Sequence, residues 1–265
     1  MLEYIILGAV QGIVEWLPVS SEGVIALIKV NFFPSDTGLF DIVKEALFLH
    51  LGTALAAIVY FRHYIRTLIK DFLHYDNVPL AQKNTIQFLI ISTVISGLLG
   101  LVLLNFIPDT TLTENTAKIL TAGIGIMLLI TAGIQLYDKN KTGTKTGVDI
   151  CLRDSTTLGI AQGFAAVPGL SRSGLTVASL LLLGYTKKES LRLSFLMSIP
   201  IVLAGNILLN INEIHTITLP SLVGLAFSFI FGIITIDVLL KLAKRMNFGY
   251  FVLFFAILTL AAAFI

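Results

Sequence analysis

Two apolar stretches of this chain, Tyr4–Val30 and Ser155–Gly184, are broken in the same way. The first opens Leu7-Gly8-Ala9-Val10-Gln11-Gly12, the second Leu158-Gly159-Ile160-Ala161-Gln162-Gly163. Each then reaches a proline, a polar cluster and a glycine: Pro18-Val19-Ser20-Ser21-Glu22-Gly23 in one, Pro168-Gly169-Leu170-Ser171-Arg172-Ser173-Gly174 in the other. A segment interrupted in this way does not cross a bilayer as one helix. Broken backbone at membrane depth is tolerated only where protein buries it or water reaches it. Each stretch is therefore expected to be a pair of half-helices forming a re-entrant hairpin.

The solvent around these hairpins follows from composition. Of 265 residues, 56% are hydrophobic and 13% charged, against about 25% charged in a soluble domain. That little charge does not cover a water-facing surface, so lipid is the expected solvent. The net charge of +2 is too small to suggest nucleic acid. The single cysteine, Cys151, excludes an internal disulfide or a cysteine-rich metal site and reads as an inert apolar residue. A bilayer-crossing helix needs about 20 apolar residues. Six stretches approach that length: Lys44–Phe61, Thr85–Ile107, Ala117–Tyr137, Ser190–Asn210, Pro220–Leu240 and Phe248–Ile265.

Basic residues orient them. Arg62, Arg66, Lys70 and Lys83, then Lys139, Lys141, Lys145 and Arg153, then Lys187, Lys188 and Arg192, then Lys241, Lys244 and Arg245 account for 14 of the 18. With six spans all fourteen fall on one side, which the positive-inside rule makes cytoplasmic. Both termini are then external. A broken hairpin followed by three spans occurs twice, with opposite direction in the membrane. The expected fold is all-α and polytopic, with six transmembrane helices and two re-entrant hairpins in two inverted-topology repeats. Residues 1–137 form the first repeat, 138–154 a cytoplasmic linker and 155–265 the second. Such repeats place a site at their interface, near the bilayer midplane.

Arg172 is the most informative residue. Arginine at membrane depth costs at least about 2.5–3.5 kcal/mol on insertion scales, so an anion should compensate it. Its planar fork suits phosphate or carboxylate. Ser171, Ser173 and Thr176 surround it with hydroxyls, and a half-helix starting near Ser171 would add free N–H groups and a positive dipole end. The set reads as an oxyanion cradle. Gln11 and Glu15 share a helix face. Glu15 is a general base, a metal ligand or the counter-ion of Arg172. Ser20 and Ser21 suit either a helix cap or, beside a base, a nucleophile toward phosphorus. Glu22 reads as a residue facing external water or as a helix-dipole partner. His50 reads as a core residue or as a residue within reach of the site, and Trp16 as packing for the site. His63 and His74 are placed in loops, and Asp237 is expected to pair with Lys241.

Gln11-Gly12-Ile13-Val14-Glu15 followed by Pro18-Val19-Ser20-Ser21 resembles the first signature of the undecaprenyl-pyrophosphate phosphatase family. Pro168-Gly169-Leu170-Ser171-Arg172-Ser173 through Thr176 resembles its second. His50-Leu51-Gly52-Thr53 and Ser194-Phe195-Leu196 also look like family segments. The resemblance implies an enzyme that removes the terminal phosphate of a polyprenyl diphosphate at the outer leaflet of the cell membrane, regenerating the lipid carrier of cell-wall sugars. It implies Glu15, Ser21 and Arg172 as catalytic residues, with Ser21 the candidate nucleophile. Gln11, Ser20, Ser171, Ser173 and Thr176 are implied to bind substrate. It further implies a magnesium or calcium ion, with Glu15 its expected ligand, and leaves a homodimer open. The family commonly has histidine where this chain has Val24, so Glu15, Glu22, His50 or a metal-bound water would have to carry the proton. A lipid-phosphate flippase or anion transporter on the same fold is the alternative, because inverted repeats suit alternating access.

Overall fold

The computed structural model describes residues 1–17, 20–33, 39–104, 143–167, 170–210, 217–242 and 248–262, with scattered helical positions between 119 and 137. Among the described residues the fold is helical, with no sheet beyond one isolated bridge between Lys145 and Tyr185. The first broken stretch forms α1 (Leu2–Val14) and α2 (Ser21–Phe32); α3 (Leu39–Tyr60), α4 (Arg62–Leu73) and α5 (Leu80–Leu104) follow. The second broken stretch forms α6 (Leu152–Phe164) and α7 (Arg172–Leu182), followed by α8 (Lys187–Asn210), α9 (Leu219–Leu242) and α10 (Phe248–Ala262).

Helices α1, α2, α6 and α7 contain 13, 12, 13 and 11 residues. At about 1.5 Å per residue each covers little more than half of a ~30 Å hydrocarbon core. Their second arms begin identically. Ser20 Oγ accepts the Gly23 N–H at 3.1 Å, and Ser171 Oγ accepts the Gly174 N–H at 3.0 Å. Both serines are N-caps, as their position after the break suggested.

Helices α3, α5, α8 and α9 are long and apolar enough to cross a membrane. Of the expected span Ala117–Tyr137 about half the positions are described, all of them helical, and α10 is 15 residues long. One sequence expectation is overturned. Residues 62–73, read as a loop carrying basic charge and His63, form the helix α4. Ile65, Leu68, Ile69 and Phe72 lie on one side of it, and Arg62, Arg66 and Lys70 on the adjacent side. The helix is amphipathic, and it escaped notice because it is too short and too charged for a span.

The tightest packing joins the two halves of the chain. α1 packs on α9, and α6 packs on α5 in the corresponding way. Likewise α9 packs on α3 and α5 on α8, while α3 and α8 meet each other. Small residues bring the backbones together. A Cβ built on Gly8 would lie 2.1 Å from the Gly224 carbonyl oxygen, and one on Gly12 would lie 2.7 Å from Phe231 Cβ. In the second half, Cβ atoms on Gly159 and Gly163 would lie 2.8 Å from Ile95 Cβ and Leu99 Cβ. α3 is fastened to α9 by Ser228 Oγ, which donates to the Leu49 carbonyl at 2.8 Å.

Two polar clusters fix the ends. Lys29 of α2 is buried and paired with Glu45 of α3, with Glu3 Oε1 3.5 Å away. Before α8, the buried Tyr185 hydroxyl donates to Asp154 Oδ2 at 2.6 Å. Burial, followed by the adjacent Asp154 carboxylate, pushes that phenol well above its ordinary range. Lys145 lies over the same ring, so the linker is tied to the second half.

Candidate active site

The break between α1 and α2 and the break between α6 and α7 meet in the interior. Glu15, the residue after the last turn of α1, is 4% exposed. Its Oε1 pairs with Arg172 Nη2. Its Oε2 accepts from Gln11 Nε2 at 2.8 Å and Ser21 Oγ at 2.8 Å, and lies 2.9 Å from His50 Nε2. Four elements, α1, α2, α3 and α7, thus converge on one carboxylate. A buried carboxylate needs that many donors, because desolvation of an unpaired charge costs several kcal/mol.

The group has the layout of an activated nucleophile. Ser21 Oγ is 3.3 Å from His50 Nε2. His50 Nδ1 donates to the Ala46 carbonyl one turn earlier, at 2.6 Å. That bond orients the ring and leaves Nε2 facing both Ser21 and Glu15. Glu22 Oε1 stands 3.8 Å from the same nitrogen.

Positive potential converges here from three sources. Arg172 holds its charge in place by donating from Nη1 to the Ser194 carbonyl at 3.3 Å, and its guanidinium has further donors to offer. The first N–H groups of α2 and α7, at Ser21, Glu22, Arg172 and Ser173, have no intrahelical partner. Both helix dipoles point their positive ends into the same space.

The other residues singled out in the sequence lie around this group. Ser20 and Ser171 cap α2 and α7. Ser173 Oγ donates to the Leu17 carbonyl at 2.5 Å and lies 3.2 Å from Ser171 Oγ, which joins the two breaks. Thr176 Oγ1 donates to the Arg172 carbonyl at 2.8 Å and meets Ser194 Oγ at 2.6 Å. Trp16 seals the floor: its Nε1 donates to the Gly232 carbonyl at 3.1 Å and its ring sits 4.8 Å from that of Phe195. Asp237 pairs with Lys241 at 2.5 Å, away from the group.

Sequence reasoning missed two contributors. The Ser194 carbonyl holds the arginine, a backbone role no side-chain pattern announces. Gln162, the counterpart of Gln11, was read only as a repeat marker. It is 3% exposed and donates to Ser96 Oγ at 3.0 Å, and its Oε1 has no partner.

Glu22, His50, Arg172, Ser96 and Gln162 form the polar end of a cavity of about 150 Å³. Its remaining walls are apolar residues of α3, α5, α6 and α8, such as Leu47, Leu101, Leu104 and Leu208. A charged head and an apolar body are thus accommodated side by side. Val24 packs instead with Leu17, Leu27 and Ala132 in an apolar cluster.

The same residues do not form a metal cage. Both oxygens of Glu15 are engaged by protein donors, and among the described residues no group of three His, Cys, Asp or Glu side chains is placed to hold an ion. Glu22 is the carboxylate beside the cavity that lacks such a set of side-chain donors.

Comparison with known proteins finds relatives over nearly the whole chain. The family model described as "Bacitracin resistance protein BacA" matches residues 4–261. A protein of Methanococcoides burtonii named undecaprenyl-diphosphatase is 42% identical over 99% of this chain and 98% of its own length. Proteins of the same name from Haloarcula marismortui and Korarchaeum cryptofilum are each 36% identical, covering 94% and 91% of this chain and 92% and 90% of their own.

Proposed function

The chain belongs to the BacA bacitracin-resistance family, and on that premise we propose that it is an undecaprenyl-diphosphatase, releasing phosphate from the diphosphate lipid to give the monophosphate carrier. The observation that carries this reading is the convergence of Glu15, Ser21, His50 and Arg172 in one group, of which His50 and Arg172 reach the polar end of an apolar cavity.

Phosphoryl transfer needs positioning and charge neutralisation more than elaborate covalent machinery. Arg172 and the starts of α2 and α7 hold the terminal phosphoryl oxygens. Ser21 Oγ attacks the terminal phosphorus, and the bond to the bridging oxygen breaks, releasing the monophosphate lipid. The Ser21 proton passes to Glu15 Oε2, its hydrogen-bond acceptor, and His50 Nε2 relays it toward the departing oxygen. Water then attacks the phosphoserine, returning the serine and free phosphate. Gln11 keeps Glu15 aligned, and Ser20, Ser171, Ser173 and Thr176 hold the two half-helix starts at the substrate's head. His50 stands in for the histidine that the family commonly has at Val24, with Glu22 as its neighbour.

Glu22 would hold a magnesium or calcium ion that arrives with the diphosphate. Magnesium is typically held through one or two carboxylates plus substrate phosphates, and Glu22 supplies the carboxylate. Bound there, the ion would neutralise phosphate charge.

The membrane arrangement extends the helical fold. The pairing of α1 with α9 and α6 with α5, and the matched caps at Ser20 and Ser171, support two inverted repeats with two re-entrant hairpins and six spans. Basic residues on one side orient the cavity's apolar end, at Leu104 and Leu208, toward the outer leaflet. The lipid enters from there, its head reaching Arg172 and its tail lying against α5 and α8.

The test is phosphate release from undecaprenyl diphosphate by the purified protein, beside Arg172→Ala and Ser21→Ala. Release by the wild type that disappears in both variants is expected. A fully active Arg172→Ala overturns the assignment.

A further inference from the structure

Gln162 has no part in the chemistry described so far, yet it stands beside it. It lies in the last turn of α6, and Arg172 opens α7, so the second break carries both. Both line the site cavity, together with His50, Glu22 and Ser96.

Ser96 sets the orientation of the Gln162 amide. Its hydroxyl has one proton, which it donates to the Thr93 carbonyl at 3.1 Å. Toward Gln162 it therefore accepts, and Gln162 Nε2 donates to it at 3.0 Å. That leaves Oε1 as the free end of the amide, and among the described residues it has no partner. The side chain is buried, where an unsatisfied acceptor is costly. Fastening α6 to α5 uses only the N–H and does not account for the carbonyl. The matching residue of the first half is employed differently: Gln11 directs its Nε2 to Glu15 and does not line the cavity.

A bare acceptor beside a phosphate site selects what it binds. Phosphoryl oxygens are themselves acceptors and are repelled by it, whereas water is a donor. The cavity of about 150 Å³ has the room, since a water needs about 10–15 Å³ of such volume and two to four polar partners. Arg172 retains N–H groups beyond those directed at Glu15 and Ser194. His50, with Nδ1 donating to the Ala46 carbonyl, offers Nε2 as an acceptor.

We propose that Gln162 positions the water that hydrolyses the phosphoserine. The inference rests on the diphosphatase reading above and on its Ser21 step. The water donates one hydrogen bond to Gln162 Oε1 and accepts one from Arg172. Its oxygen bonds to phosphorus as the bond from phosphorus to Ser21 Oγ breaks. One water proton passes through His50 Nε2 to Ser21 Oγ, 3.3 Å from that nitrogen. The other, held at Gln162, leaves with the phosphate, so Gln162 takes up no proton. Ser96 acts through Gln162 and is a positioning residue.

The test follows undecaprenyl diphosphate labelled at its terminal phosphorus through a single turnover and at steady state. The wild type is compared with Gln162→Met, which keeps the length of the side chain without the amide, and with Ser96→Ala, which keeps the glutamine and removes its anchor. Gln162→Met is expected to form monophosphate lipid in a burst of about one equivalent per protein, to keep the label bound after denaturation, and to release phosphate about 10²-fold more slowly. Ser96→Ala should do the same to a smaller degree, and adding Ser21→Ala to either should abolish the label. A merely structural role would slow the burst and the later phase together and leave no label on the protein. That result, or wild-type turnover in Gln162→Met, overturns the proposal. If melting curves show that Gln162→Met does not fold, the label on Ser96→Ala decides alone. Failure of the wild type to release phosphate is a different result, because it removes the diphosphatase reading itself.

Discussion

Glu15 and Arg172, 157 residues apart in the chain, form a buried ion pair that links the two half-helix breaks. Neither residue is tolerable in the interior alone. Removing one partner of a buried pair costs about 3–5 kcal/mol because the other charge is left unpaired. Arg172→Ala is expected to lose phosphate release and to melt well below the wild type. Glu15→Gln combined with Arg172→Met is expected to recover much of the melting temperature and none of the activity. Thermal unfolding in detergent beside a phosphate assay separates the two roles. Recovery of activity in the double variant would contradict them.

His50 is the residue expected to move the proton. Its loss in His50→Gln should lower kcat by about 10²–10⁴-fold, the usual contribution of general acid–base catalysis. Binding of a non-hydrolysable diphosphate lipid should survive. Steady-state kinetics and a binding measurement on the same preparation decide this.

Restoring the common family histidine should not help. Val24 packs among Leu17, Leu27 and Ala132, so a histidine there buries polar nitrogens with no partner among them, at about 1–3 kcal/mol. Val24→His is expected to lower the melting temperature and leave kcat no higher, in the wild type and in His50→Gln alike. A rescue of His50→Gln by this change would show that position 24 reaches the site after all.

Gly8 and Gly97 provide a matched pair of glycine tests. In Gly8→Ala the new methyl would stand 2.1 Å from the Gly224 carbonyl, whereas in Gly97→Ala it would meet one flexible side-chain carbon at 3.7 Å. Overpacking of the first kind costs about 1–3 kcal/mol or more, and it displaces α1, which carries Gln11 and Glu15. Gly8→Ala is therefore expected to lose both stability and activity, and Gly97→Ala neither. Melting curves and turnover for the two proteins provide the check.

An ion that enters with the substrate, as proposed, has its own signature. Magnesium or calcium added to substrate-free protein should leave the melting temperature unchanged, because on this reading the ion binds only together with the diphosphate. With a diphosphate analogue present, the same ions should raise it. A shift with metal alone would reveal a site that these side chains do not account for.

Much of the fold was readable because membrane solvent imposes strict local rules. Length and apolar content announce α3, α5, α8 and α9, and Pro, Gly and Ser mark the breaks before α2 and α7. α4 was not readable in that way. Its apolar face, at Ile65, Leu68, Ile69 and Phe72, is too narrow to register against basic neighbours that also signal a loop. Of the site, Glu15, Ser21 and Arg172 stood out as polar residues in apolar surroundings. His50 stayed ambiguous between core and site, since a lone histidine on an apolar helix carries no sign of what it faces.

Local chemistry, then, determined from sequence alone that the chain lies in lipid, where its helices break, and that an arginine at depth must meet an anion. Those facts follow from desolvation, which acts on each residue where it stands. Only the tertiary structure decided that the anion is Glu15 and that His50 completes the group with Ser21. Those relationships depend on which helix faces pack together. The close approaches at Gly8, Gly12, Gly159 and Gly163 set that packing, across distances in the chain that local pattern does not span.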